Sequence, residues 1–64
     1  MYNKNQKINW YDKMEKIVIN GMYPNVEMME LKITNVVAQG LITVEQGDML
    51  RELLDKKENG ELTN

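Results

Sequence analysis

Pairs of carboxylates are among the residues of this 64-residue chain whose spacing could do chemistry. Glu27 and Glu30 stand three apart, as do Glu45 and Asp48, so on a helix each pair shares a face. Paired carboxylates exchange protons in general acid–base reactions or hold hard cations. Both uses need more than the pair. Acid–base work needs an apolar pocket that shifts one pKa away from the other, and nothing around these pairs supplies one. The chain contains no cysteine and no histidine, which removes disulfides, thiolate nucleophiles, zinc–thiolate sites and the commonest neutral-pH base. "VEQGDML" lacks the alternating acids of an EF-hand loop, and "NGMYPN" has neither the pattern nor the lysine of a phosphate-binding loop. Both pairs therefore read as solvated surface. No catalytic residue, no metal ligand and no cofactor is expected, and the chain is not expected to be an enzyme.

Ten acidic residues against eight basic ones leave a net charge of −2, with no general attraction to nucleic acid or anionic lipid. The charge is uneven. Residues 1–20 carry four lysines and two acids, whereas residues 21–64 carry four bases and eight acids. Such polarity either orients head-to-tail contacts or is the ordinary result of solvated helix faces. The longest fully apolar runs, such as Ile17–Ile19, have three residues, so neither a signal peptide nor a membrane span is expected. The expected location is the cytoplasm of the producing cell, with association with a virion also compatible.

The elements that carry these residues are marked by glycine. Gly21 follows a periodic segment ending at Asn20, and Gly40 follows one ending at Gln39. Each suits the position just past a helix, where a left-handed backbone is needed. Pro24 cannot continue a helix, and Asn25 can cap the next one. In "QGLITVEQ", Thr43 and Gln46 form a capping box of the T-x-x-Q type. Leu41 or Ile42, before the cap, is then placed to staple against the first turn that follows. The result is an all-α, single-domain, three-helix fold, with helices over about 8–20, 26–39 and 44–57 and flexible ends at 1–7 and 58–64.

At 100° per residue, Trp10, Met14 and Ile17 share a face of the first helix, flanked by Tyr11 and Val18. Val26, Met29, Ile33, Val36, Val37 and Gly40 share one of the second. Gly47, Leu50 and Leu54 share one of the third, with Val44 and Leu53 at its edges. Asp12 with Lys16, Arg51 with Asp55 and Glu52 with Lys56 have the i,i+4 spacing of weakly stabilising ion pairs. Gly47, inside a helix at a cost of about 1 kcal/mol relative to alanine, points to a close helix crossing; a bent or late-starting helix is the alternative.

Met28, Leu31 and Ala38 lie off the apolar stripe of the second helix, Ile19 off the first and Met49 off the third. Either the second helix is central and covered on both sides, or these side chains form a contact surface. Six methionines suit adaptable contacts, because the side chain is unbranched and polarizable. The candidate interface residues are Met28, Leu31 and Met49, with Trp10, Tyr11, Tyr23 and Tyr2 as aromatic anchors.

"WYDKMEKIVINGMYP" (an aromatic pair, a short helix, then Gly-apolar-Tyr) and "AQGLITVEQ" (a Gly-x-Ile-Thr-x-Glu step) resemble the XkdX-like small proteins of prophages in Gram-positive bacteria, over residues 10–53. The resemblance implies a phage gene close to the tail and lysis modules and no catalytic residues. By analogy the chain is a tail-associated structural or assembly protein. Its expected partner is itself, as a homo-oligomer, or another phage or host protein. The alternative is a small regulator that binds DNA or a host protein. "VVAQGLITVEQGDML" has the outline of a helix-turn-helix, but its second helix offers Glu45 and Asp48 to the phosphates before its first base, Arg51, so nucleic acid is not an expected partner.

Overall fold

The computed structural model describes residues 9–61, which form three α-helices: α1 (Trp10–Ile19), α2 (Val26–Ala38) and α3 (Val44–Glu58). The all-α three-helix reading holds. Tyr2 and the segment 1–7 lie outside the described residues, as do 62–64.

Each helix starts on a side-chain cap. Asn25 Oδ1 accepts from Met28 N–H at 2.8 Å, and the Thr43–Gln46 box closes in both directions at 3.0 Å. The first helix begins later than position 8, because Asn9 is extended and its Oδ1 accepts from Asp12 N–H at 3.0 Å. That makes Asn9 the cap rather than a helical residue.

All three helices stop in the same way. Gly21, Gly40 and Gly60 have φ of +64°, +75° and +74°, where a side chain would clash with the backbone. The N–H after each glycine reaches back to a carbonyl in the last turn: Met22 to Ile17, Leu41 to Val36 and Glu61 to Lys56. The third stop carries α3 one residue beyond 57, to Glu58, and its cap fixes Asn59–Glu61.

The core consists of Met14 and Val18 of α1, Met29, Ile33 and Val36 of α2, Ile42 of the α2–α3 link, and Leu50 and Leu54 of α3. None of its residues is polar. Trp10, Tyr11, Ile17, Tyr23, Val26, Val37 and Leu53 pack around it half-buried. Val18, expected at the flank of its helix, is fully buried, while Val44 at the start of α3 is solvent-exposed. The expected staple has no partner to close on, because the position it needs in α3 is Gly47. Ile42 instead joins the shared core, and Leu41 stays partly in water.

The central helix is α3, not α2. It packs along both other helices, which touch each other least. The close crossing expected at Gly47 lies between α3 and α2. A Cβ there would stand 2.6 Å from Val37 Cγ2 and 3.9 Å from Ile33 Cγ2. The gap is bridged above Gly47 by Arg51, whose guanidinium donates to Thr34 Oγ1 of α2 at 2.6 Å. Because Arg51 turns toward α2, its ionic neighbour is Asp48 at 4.0 Å rather than Asp55. The Glu52–Lys56 spacing also closes no ion pair, whereas Asp12 and Lys16 do meet, at 3.3 Å.

Candidate functional site

The side chains left outside the core fall into recognisable groups. Met22 is 67% exposed, Met28 51%, Leu31 53% and Met49 52%. Packing among the described residues therefore does not cover Met28, Leu31 and Met49. Ala38 is exposed as well, and Ile19 is half-buried.

Met28 and Leu31 line a groove of about 290 Å³ together with Met22, Tyr23, Pro24, Met29, Lys32 and Asn35. Two elements build it. The outer face of α2 gives Met28, Leu31, Lys32 and Asn35, which follow one another at i, i+3, i+4 and i+7. The wall comes from Met22–Pro24, which the glycine stop at Gly21 folds back toward the end of α3. There the Tyr23 hydroxyl donates to the Glu58 carboxylate. Gly21 sits in the same corner, since a Cβ on it would lie 3.9 Å from Lys57 Cε.

The structure thus brings three of the candidate residues, Tyr23, Met28 and Leu31, to one place. Trp10, Tyr11 and Met49 do not line it. Trp10 and Tyr11 are half-buried against the core, and Lys13 Nζ lies 4.7 Å from the centre of the Trp10 ring. Met49 projects from the outer face of α3. Sequence reasoning missed Met22, Pro24, Lys32 and Asn35. Met22 carried no signal of its own, since an apolar residue directly after a glycine stop ordinarily packs back on the helix it follows. Lys32 and Asn35 were signalled by their spacing from Met28.

Burial, the hydrogen bond to Glu58 and that carboxylate's charge together push the Tyr23 hydroxyl up to about 12. Tyr11 is also raised, by burial and then by Glu15. An unfolded tyrosine titrates near 10, so the folded state favours the neutral phenol. The stabilisation is complete below pH ~10 and is lost as pH rises from ~10 toward 12. The melting temperature should therefore fall over that range. In Tyr23→Phe the fall should be shallower, with only the Tyr11 share remaining. Equal slopes in the two proteins would mean that the Tyr23–Glu58 contact does not hold the loop against α3.

The carboxylate pairs are split between surfaces. Glu30 and Asp48 line a second recess, of about 390 Å³, with Glu52, Asp55, Glu58 and Arg51, over Val26 and Leu54. Glu27 and Glu45 do not line it and are exposed. Among the described residues, no three carboxylates converge closely enough to hold a metal ion. No helix among them is long and apolar enough to cross a membrane. Comparison with protein-family models, with curated proteins and with solved structures finds no match to this chain.

Proposed function

We propose that this protein is a non-enzymatic helical interaction module that associates with itself through the outer face of α2. In this reading it serves as a structural or assembly component of phage type, tail-associated. The observation that carries the reading is the groove. Met22, Met28 and Leu31 stand more than half in water around it, while the described residues give a core of eight side chains. Contiguous exposed apolar surface of this kind marks contact sites. Methionine-rich grooves suit partners that insert a helix face or a single apolar side chain. The resemblance of residues 10–53 to the XkdX-like prophage proteins supports the phage setting.

Leu31→Glu tests this. Leu31 is outside the core, so at concentrations where the wild type is also monomeric the variant should match its stability to within the ~0.5 kcal/mol typical of surface changes. Its molar mass by light scattering should fall to that of the monomer, while the wild type rises above it with concentration. If wild type and variant have the same mass at every concentration, self-association through this face is refuted.

A further inference from the structure

The groove on α2 and the exposed Met49 on α3 have complementary surroundings. Lys32 is the charged side chain that lines the groove, and among the described residues it makes no ion pair. Met49 stands between Glu45, four residues before it, and Glu52, three after it, and all three are exposed on one face of α3. Lys56, further along the same face of α3, is the one base among these exposed residues beside the two acids. At about 290 Å³ the open groove has room for an inserted side chain.

We infer that the groove of one copy receives Met49 of a second copy, with the Glu45 and Glu52 carboxylates set against the Lys32 ammonium. The inference rests on the self-association reading above and names the surface that meets the groove. The rival arrangement, groove against groove about a two-fold axis, would bring two Lys32 side chains together, with Glu27, the acid four residues before Leu31, outside the lining; like charges across an interface oppose binding. The α3-to-α2 pairing is heterologous. A pair joined this way leaves one groove and one Met49 free, on different copies, so the contact propagates into a ring or a filament. An unbranched, flexible methionine enters an irregular groove at low steric cost. The charged rim sets orientation and weakens with salt.

Mixing experiments on the full chain test this directly. Leu31→Glu spoils the groove and keeps Met49; Met49→Glu spoils the insertion and keeps the groove. Each alone should be monomeric by light scattering, with the wild-type circular dichroism spectrum. Mixed one to one, they should form a species of twice the monomer mass that grows no further. Lys32→Glu should be weakened alone and regain association when mixed with the double variant Glu45→Lys/Glu52→Lys. If Met49→Glu keeps the wild-type mass while Leu31→Glu loses it, the α3 contact is wrong and self-association through α2 stands. A mixture that stays monomeric overturns the inference, and a wild type that is monomeric throughout overturns both.

Discussion

Leu50→Ala should leave a large fraction of the protein unfolded at room temperature. Leu50 has no exposed surface and belongs to α3, the helix on which the other two depend. Truncating a buried leucine costs ~2–5 kcal/mol, through lost transfer energy and the cavity left behind. A core of this size supplies about 3–5 kcal/mol in all, so the loss is comparable with the whole stability. The surrounding residues have little means of collapsing into the gap, since α3 is held from one side by Met14 and Val18 and from the other by Met29 and Ile33. Urea unfolding followed by circular dichroism reads the effect. Val44→Ala, at a position 64% exposed on the same helix, should shift the midpoint hardly at all. A Leu50→Ala loss below ~1 kcal/mol would mean that α3 does not hold the core together.

Gly47→Val should be comparably damaging, for the opposite reason. The crossing of α2 and α3 leaves no volume for a side chain, since a Cβ would meet Val37 Cγ2 at 2.6 Å. Val37 is β-branched and stiff about χ1, so it cannot swing aside cheaply. Overpacking costs typically ~1–3 kcal/mol, and valine adds two further methyl groups beside Ile33 and Arg51. Alanine is the informative control. It gains about 1 kcal/mol of helix propensity over glycine and still has to displace Val37. Gly47→Ala should therefore be less stable than wild type in the native background. In a Val37→Ala background, where the clashing methyl groups are gone, it should be neutral or stabilising. If Gly47→Ala stabilises the wild type outright, the helices are further apart than described.

The punctuation of this fold was legible because it is chemical and local. Gly21, Gly40, Asn25 and the Thr43–Gln46 box need only their near neighbours to act, and each does what its residue type allows. Gly47 was legible as a crossing, since a glycine on an inner stripe has few other uses. Which helix lies at the centre was not legible. Periodicity gives each helix a buried face without saying which partner meets it, and α2, with the most apolar residues off its stripe, drew attention away from α3. The end of α3 was obscured by composition. "DKKENGELTN" is polar, yet Asn59–Gly60 repeats the stop seen at Asn20–Gly21, with Glu61 N–H bonded back to Lys56. The groove was half legible. Met28 and Leu31 stand off the core stripe, but Met22–Pro24 reaches them only through a turn whose direction is set by the contact of Tyr23 with Glu58.

The most direct test of self-association uses the methionines as reporters. Their terminal methyl groups, labelled with carbon-13, give separate NMR signals, and the structure divides them. Met22, Met28 and Met49 are exposed, whereas Met14 is fully buried in the core. On dilution through the association range, the signals of Met22, Met28 and Met49 should move together along one binding curve, with Met14 fixed. If those three stay still while the molar mass changes, the copies meet elsewhere and the role assigned to the outer face of α2 is wrong.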